Sequence, residues 1–252
     1  MKYLIFLDID GTILDNGKIH PRTVDGVREA QKRGHMVFIN TGRSMSIIPK
    51  TVLDNVKPDG IVGGLGAYIR VGDEVFLSET APANLIKLSM DVAKICNNTV
   101  ILEGENESVS FLGTTYLGKD HEVESVEDVF ARFPDINVEK MTYVRPLTEE
   151  GTKMLEPYFA VFNHPTYSEI GLKGYSKATG MEFLRERYGI DKDHVIAMGD
   201  SDNDTLMLEA AGIAVVIGNG HPDVKKIADF ISIDCADGGV GYAIEKLILE
   251  KE

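Results

Sequence analysis

The sequence predicts an α/β protein in which a mostly parallel β-sheet is interrupted by an inserted α+β segment. Near both ends of the 252-residue chain, short continuous apolar runs alternate with helical patterns and end in polar loops. Continuous apolar runs of this length are typical of strands buried on both faces, as in parallel sheets covered by helices. The middle of the chain lacks this regular alternation. These patterns together predict one core built from the two ends of the chain.

The first strand is predicted over residues 3–7, a continuous apolar run that ends just before Asp8. Apolar residues at helical spacing follow over residues 24–30, and Gly34 provides a helix stop signal. The apolar run over residues 36–39 predicts the second strand. This order is a β-α-β unit, whose two strands are normally parallel.

The same alternation returns near the C-terminus. The pattern predicts a helix over residues 178–188, a strand over 195–198, a helix around 206–208 and a strand over 213–217. The carboxyl ends of parallel strands share one edge of the sheet, which is where open α/β sheets bind ligands. We therefore expect the polar loops of both chain ends to meet there.

The middle of the chain is predicted to be an inserted α+β domain. Its strand-like runs cover residues 99–102 and 109–112, and its helical patterns cover residues 85–95 and 126–133. A hairpin signal at residues 71–74 and a glycine-containing turn at 171–174 mark its two sides. We assign residues 1–81 and 172–252 to the core and residues 82–171 to the insertion.

Composition excludes several classes of partner. The chain has 26 basic and 40 acidic residues and a net charge of −14, which argues against duplex nucleic acid or an anionic membrane as the main partner. The apolar runs fall far short of the roughly 20 residues that span a bilayer. Cys96 and Cys235 lack the spacing of a disulfide framework or a zinc site, so we expect a reduced, cytoplasmic setting.

Asp8 and Asp10 lie two residues apart at the end of the first predicted strand. Two carboxylates so close repel each other, and a divalent cation, a lysine or a shared proton relieves that repulsion. Such a pair can divide the work of catalysis, one carboxylate attacking while the other transfers protons. Alternatively, both side chains form Asx turns with Gly11 and Thr12.

A second acidic cluster favours the metal interpretation. Asp200, Asp202 and Asp204 follow the predicted strand 195–198, which would bring three more carboxylates to the same edge of the sheet. Oxygen ligands of this kind suit Mg²⁺. A calcium-binding EF-hand is excluded, because Thr205 and Ala211 stand where that loop needs glycine and glutamate.

Two further segments supply groups for an anion. Thr41, Gly42 and Arg43 follow a predicted strand and offer a hydroxyl, backbone N–H groups and a guanidinium. Alternatively, Thr41 or Ser44 caps the next helix while Gly42 allows the turn, and both interpretations can hold together. Lys177 lies at the start of a predicted helix and can reach back to the same centre as a point charge.

In this order, the four segments resemble the four motifs of the haloacid dehalogenase (HAD) superfamily, and most closely its Cof-type subgroup with a class IIB cap. The segments are residues 8–12 (DIDGT), residues 40–43 (NTGR), Lys177 and residues 199–204 (GDSDND). The resemblance implies a Rossmann-like, HAD-like core over residues 1–81 and 172–252. It also implies that the insertion over residues 82–171 is a cap that sets substrate specificity.

The resemblance implies the following chemistry for the core residues. Asp8 is the nucleophile that forms an aspartyl-phosphate, and Asp10 protonates the leaving oxygen and then activates water. Lys177 offsets the negative charge of the nucleophile and of the phosphoryl group. Asp202 is expected to face outward.

The resemblance also implies the binding roles. Mg²⁺ is held by the carboxylates of Asp8 and Asp200 and by the backbone carbonyl of Asp10, while Asp204 orients the lysine or a metal-bound water. The groups expected to bind the phosphoryl oxygens or the substrate are Thr41, Gly42, Arg43, Lys177 and Asn203.

Two positions depart from the subgroup's pattern: Ala178 follows the lysine where glycine is usual, and His221 stands where a small residue is common. Neither change removes a catalytic group. In the cap, Asn163, His164 and Tyr167 are polar candidates for contacts to substrate.

The sequence therefore predicts a Mg²⁺-dependent phosphomonoester hydrolase. Its expected substrates are small phosphorylated metabolites, because a cap over the crevice excludes bulk water and large substrates. The resemblance implies sugar phosphates in particular, which are the commonest substrates of the subgroup. One alternative is a phosphomutase of the same superfamily, since cap geometry decides whether water or a second hydroxyl accepts the phosphoryl group. The alternative from another class is a phospho-aspartate regulatory module, which would lack a residue that hydrolyses the phosphoenzyme.

Overall fold

A computed structural model describes residues 2–250 of the chain. Its strands are β1 (Leu4–Leu7), β2 (Leu14–Asp15), β3 (Lys18–Ile19), β4 (Met36–Asn40), β5 (Gly60–Gly63), β6 (Tyr68–Val71), β7 (Glu74–Ser78), β8 (Val100–Gly104), β9 (Ser108–Phe111), β10 (Glu122–Val123), β11 (Val138–Tyr143), β12 (Phe159–Asn163), β13 (Ser168–Leu172), β14 (Val195–Gly199), β15 (Ile213–Val216) and β16 (Phe230–Ile231). Its α-helices are α1 (Pro21–Lys32), α2 (Lys50–Val56), α3 (Ala83–Ile95), α4 (Val126–Arg132), α5 (Glu149–Leu155), α6 (Lys177–Tyr188), α7 (Thr205–Ala210) and α8 (Gly239–Ile244).

The larger sheet has eight strands in the order β16-β15-β14-β1-β4-β5-β6-β7. The six strands from β16 to β5 are parallel, whereas β6 and β7 add an antiparallel hairpin at one edge. Helices α1, α2 and α8 pack on one face, and α6 and α7 pack on the other. Strands β1 and β14 are fully buried, because helices cover both faces of the sheet. The Rossmann-like core predicted from the sequence is confirmed.

A second sheet of six strands has the order β10-β9-β8-β11-β13-β12 and is antiparallel except where β10 meets β9. Helices α3, α4 and α5 pack on one of its faces in a separate apolar core. Its strands fall between β7 and β14 in the chain, as expected of an insertion. Strand β13 includes Leu172, so this sheet runs one residue past the boundary predicted at 171.

The described residues form no helix long and apolar enough to cross a membrane.

One buried acid lies where the two sheets meet. Glu139 on β11 is fully buried and packs against Gly64, which has no room for a side chain beside the Glu139 Cβ. Neither carboxylate oxygen of Glu139 has a hydrogen-bond partner among residues 2–250. Burial, with smaller contributions from Glu105 and Glu103, raises the pKa of Glu139 from 4.5 to about 8. Glu139 therefore keeps its proton in the folded protein at neutral pH.

This proton links folding to pH. A carboxyl whose pKa is higher in the folded than in the unfolded state stabilises the fold fully below the unfolded pKa, and this contribution is lost as pH rises through the folded pKa. For Glu139 that window runs from 4.5 to about 8. We expect Glu139→Gln to abolish a pH-dependent loss of unfolding free energy of up to about 5 kcal/mol across the window, since one pKa unit corresponds to about 1.4 kcal/mol.

Urea unfolding of both proteins at several pH values measures this difference. Glu124→Gln, at an exposed position of the same domain, is the control and should follow the wild-type curve. Parallel pH curves for wild type and Glu139→Gln would contradict the assignment.

Candidate active site

Asp8 occupies the first position after β1, at the carboxyl edge of the larger sheet. Its backbone N–H donates to Met198 O at 3.0 Å, which extends the β1–β14 ladder by one step. The side chain is buried, with 4% of the residue exposed. Burial raises the pKa of Asp8 to about 7; Lys177 opposes this shift and Asp204 adds to it. Asp8 is therefore a carboxylate whose ionisation depends on nearby positive charge.

Lys177 supplies part of that charge from the first turn of α6. Ser176 caps the helix in a capping box with Thr179, which fixes where the helix begins. The lysine is 2% exposed, and its Nζ lies 2.7 Å from Asp8 Oδ1 and 2.7 Å from Asp204 Oδ1. Desolvation lowers the pKa of Lys177, but the two aspartates outweigh it and the pKa is raised. Lys177 is thus a buried cation held between Asp8 and Asp204.

Asp204 organises the loop after β14. While Oδ1 pairs with Lys177, Oδ2 accepts from the backbone N–H groups of Asp200 at 3.0 Å and Ser201 at 3.2 Å. Asn203 Oδ1 accepts from Lys177 Nζ at 3.2 Å and lines the adjoining cavity. Asp204 therefore positions the lysine and the loop, in line with its predicted orienting role.

Asp8, Asp200 and Asp204 form an acidic group whose ligand oxygens lie within 4.8 Å of one another. Burial, aided by Asp204, raises the pKa of Asp200 to about 6 despite Lys177. Asp200 Oδ1 is buried and lacks a hydrogen-bond partner among the described residues. Gly11 allows this carboxylate to approach, because its φ is +79° and a Cβ there would lie 2.3 Å from Asp200 Oδ2. An orphaned oxygen among hard oxygen donors fits a divalent cation such as Mg²⁺.

Asp10 differs from Asp8 in exposure and in partner. Its side chain is 55% exposed and forms a two-pronged ion pair with Arg43, with distances of 2.7 and 3.0 Å. Hydrogen bonding to Asp10 raises the pKa of Arg43, despite opposing desolvation. Arg43 also donates to Ile47 O at 3.1 Å. The guanidinium, expected to receive substrate, is therefore occupied by Asp10, because both side chains extend from loops at the same sheet edge.

Thr41 and Gly42 form the loop after β4. The Thr41 backbone N–H donates to Val62 O at 2.9 Å, and Thr41 Oγ1 accepts from the Arg43 backbone N–H at 3.2 Å. Both residues line the same cavity as Asp8 and Asp10. Thr41 therefore closes a local turn with Arg43 rather than capping a helix, and Ser44, at the start of the short helix Met45–Ile47, makes no side-chain cap hydrogen bond.

Asp202 and His221 lie at the rim. The Asp202 side chain is 81% exposed, and its Oδ1 lies 3.8 Å from His221 Nδ1. The outward direction predicted for Asp202 is confirmed. His221 is held beside the site loop by its backbone N–H, which donates to Asp200 O at 2.8 Å.

The cavity of about 400 Å³ has a ceiling made by the second sheet. Glu103 on β8, Lys140 on β11 and Glu169 on β13 line it, and all three are buried. These three residues are not among the candidates predicted from the sequence. Charged residues within strands of an otherwise apolar core were the available signal, but their meeting depends on strand register.

Of the cap candidates named from the sequence, only Tyr167 is among the described residues that line this cavity. Tyr167 lines the cavity and stacks on His164 with ring centroids 4.4 Å apart. His164 Nε2 lies 3.2 Å from Glu169 Oε2. Asn163 bonds to Thr152 and Ser168. Asn163 and His164 both line a second crevice that adjoins Lys177.

Comparison with known proteins matches the chain along nearly its whole length. A family model described as haloacid dehalogenase-like hydrolase matches residues 5–244. The 5-amino-6-(5-phospho-D-ribitylamino)uracil phosphatase of Bacillus subtilis (strain 168) is 27% identical over 267 residues, 97% of each chain. A phosphoglycolate phosphatase of Methanobrevibacter smithii is 27% identical over 251 residues, 97% of this chain and 98% of the relative. The solved structure of a HAD subclass IIB sugar phosphatase superposes with a TM-score of 0.82 at 26% identity, covering 97% of this chain and 98% of that one.

Proposed function

The chain belongs to the haloacid dehalogenase-like hydrolases, and we propose that it is a Mg²⁺-dependent phosphatase of small phosphorylated metabolites, with sugar phosphates as its substrate class. The observation that carries this proposal is the cluster of buried Asp8, Lys177 and Asp204 with half-buried Asp200 at the carboxyl edge of the larger sheet. A buried carboxylate between a fixed ammonium and further acids suits phosphoryl transfer better than a structural role.

Asp8 is the proposed nucleophile. One Asp8 oxygen attacks the phosphorus of the ester, a P–O bond to aspartate forms, and the P–O bond to the leaving group breaks. Lys177, 2.7 Å from Asp8 Oδ1, stabilises the negative charge of the carboxylate and of the transferring phosphoryl group. The product of this step is an aspartyl-phosphate.

Asp10 is the proposed proton carrier. It gives a proton to the leaving-group oxygen, takes one back from water, and the resulting hydroxide attacks phosphorus to release phosphate and regenerate Asp8. Its exposed carboxyl supports this role, because a proton carrier must reach both substrate and water.

The proposed metal ligands are the carboxylates of Asp8 and Asp200 and the backbone carbonyl of Asp10. When bound, Mg²⁺ supplies positive charge that stabilises the anionic phosphoryl group. Asp204 stays with Lys177 and the loop amides, to which its oxygens are already bonded. Thr41, Gly42 and Asn203, together with Lys177, are proposed to bind the phosphoryl oxygens, since they line the cavity or its adjoining wall.

The division of the chain supports small substrates. We propose that residues 1–81 and 172–252 act as the catalytic core and residues 82–171 as a cap. With strands β8, β11 and β13 above the core loops, about 400 Å³ remains between them, which suits a metabolite rather than a folded partner. The subclass IIB sugar phosphatase similar in structure favours the sugar phosphate class.

Phosphate release from a panel of phosphorylated metabolites and an aryl phosphate tests this function, with Mg²⁺ or with a chelator. We expect release with Mg²⁺ and a loss of at least about 100-fold with the chelator, because a bound cation would give the orphaned Asp200 oxygen a partner and favour the ionised, nucleophilic form of Asp8. Added Mg²⁺ should also raise the unfolding temperature of the wild-type protein, and it should raise the unfolding temperature of Asp200→Asn by less.

Full activity in chelator would contradict metal dependence. No release from any ester by the folded, metal-loaded protein would contradict the phosphatase function.

A further inference from the structure

The cap contributes a charged cluster to the cavity that contains Asp8. We call Glu103, Lys140 and Glu169 the roof cluster. Lys140 Nζ lies 2.5 Å from Glu169 Oε1 and 3.7 Å from Glu103 Oε1. A methyl group on Gly42 would lie 3.3 Å from Glu169 Oε1, so the cluster reaches down to the proposed phosphate-binding loop. The core and the cap therefore meet around one small space.

The roof cluster is held in place by its strands and by further hydrogen bonds. Lys140 pairs in register with Glu103, and Glu169 pairs with Thr142, across adjacent strands. Thr142 Oγ1 donates to Glu103 at 2.5 Å, and His164 lies 3.2 Å from Glu169. Side chains fixed in this way are preorganised for recognition.

The roof cluster is acidic in net charge. Burial would raise the pKa of Glu169, but Lys140 and His164 outweigh it and hold that pKa well below its usual range. The two glutamates in turn raise the pKa of Lys140 above its usual value, despite desolvation. Lys140 is therefore already neutralised within the cluster.

The whole cavity shows the same excess of negative charge. Its described lining contains four carboxylates, Asp8, Asp10, Glu103 and Glu169, and two cations, Arg43 and Lys140. Each of these cations pairs with a carboxylate of the same lining. A second anionic group on a substrate would thus approach two glutamates and find both lining cations engaged. Hydroxyl groups, by contrast, can donate to the glutamates and accept from Lys140.

We propose that the roof cluster selects phosphate esters whose leaving group is an uncharged polyol and disfavours esters that carry a carboxylate on the leaving group. This inference rests on the proposed function and narrows its substrate class. It separates this chain from its relative named as a phosphoglycolate phosphatase, although the two align over nearly their whole lengths.

Matched ester pairs test the proposal. Ethylene glycol monophosphate is compared with 2-phosphoglycolate, and glycerol 3-phosphate with 3-phosphoglycerate. In each pair the first ester has a hydroxymethyl group where the second has a carboxylate. The assays are run at about pH 8, where imidazole groups are generally neutral. We expect kcat/KM for the polyol ester to exceed that for the acid by at least about tenfold, because the substrate carboxylate would be repelled by the glutamates. Calorimetric binding of the same esters to Asp8→Asn measures the preference without turnover.

Glu169→Gln should lower the polyol-to-acid ratio about tenfold, since it removes one negative charge and frees Lys140. Glu103→Gln, farther from Lys140, is a second variant in case the first does not fold. The control is Glu107→Gln, an exposed cap acid beside His121 that changes the net charge equally; its ratio should stay at the wild-type value.

Equal use and equal binding of the two esters, or unchanged ratios in both roof variants, would overturn the proposal. If an aryl phosphate is hydrolysed but neither ester pair shows a preference for the polyol ester, the proposed specificity is wrong and the proposed phosphatase function stands. If no ester is hydrolysed, the proposed function fails, and the binding preference of Asp8→Asn still decides the role of the roof cluster.

Discussion

Asp8→Asn is expected to lower phosphate release from every ester by at least about 10⁴-fold, the scale of loss seen when an enzyme loses its nucleophile. The amide nitrogen and oxygen that replace the carboxylate cannot form the phosphoryl bond. Lys177 keeps its second partner, Asp204 Oδ1 at 2.7 Å, so the fold should survive the change. Steady-state phosphate release, with unfolding followed by circular dichroism, measures both effects.

Asp202→Asn is the matched control for this variant. Asp202 belongs to the same acidic segment as Asp200 and Asp204, but its side chain is 81% exposed at the rim. We expect its activity to remain within about twofold of wild type, as for most surface substitutions. Comparable losses in both variants would show that Asp8 acts through general charge rather than as nucleophile.

Asp10→Asn is expected to separate the two halves of the reaction. An aryl phosphate has a leaving group that needs no proton, so Asp8 should still be phosphorylated. Hydrolysis should then slow by about 10²–10⁴-fold, the usual contribution of a general base. The expected result is a burst of one aryl alcohol per enzyme, followed by slow turnover, in rapid-mixing experiments.

Alkyl esters add a second test of the same residue. Because their leaving groups need a proton, Asp10→Asn should lose more activity on alkyl than on aryl esters. Asp223→Asn, an exposed aspartate paired with Lys226, is the control and should show no burst. Equal phosphoenzyme lifetimes in wild type and Asp10→Asn would favour the regulatory module, for which a lasting phospho-aspartate is the signal.

The core of the fold could be predicted because its strands are apolar on both faces. Strands β1 and β14 are fully buried, so their sequences are continuous apolar runs that end at the site loops. Strand β5 could not be recognised in the same way, since two of its four residues, Gly60 and Gly63, are glycines. Strand β11 was hidden by Glu139 and Lys140, whose charges interrupt its apolar pattern.

The core groups of the site could be predicted from the sequence, whereas the roof cluster and the Asp10–Arg43 ion pair could not. The core groups follow directly after predicted strands or begin a helix, so their positions at one sheet edge follow from parallel topology. The roof cluster depends on the antiparallel pairing of β8, β11 and β13, whose contacts join residues distant in sequence. The Asp10–Arg43 ion pair likewise depends on how two loops turn, which no local pattern specifies.

The central claim is that the phosphoryl group passes through Asp8, and chemical trapping tests it most directly. Asp10→Asn is mixed with an aryl phosphate and Mg²⁺, quenched during the burst and reduced with borohydride, which converts a phosphorylated aspartate into homoserine. We predict homoserine at position 8 in the peptide that contains residues 4–12. Homoserine at another aspartate, or a full burst with no modified aspartate, would contradict the mechanism.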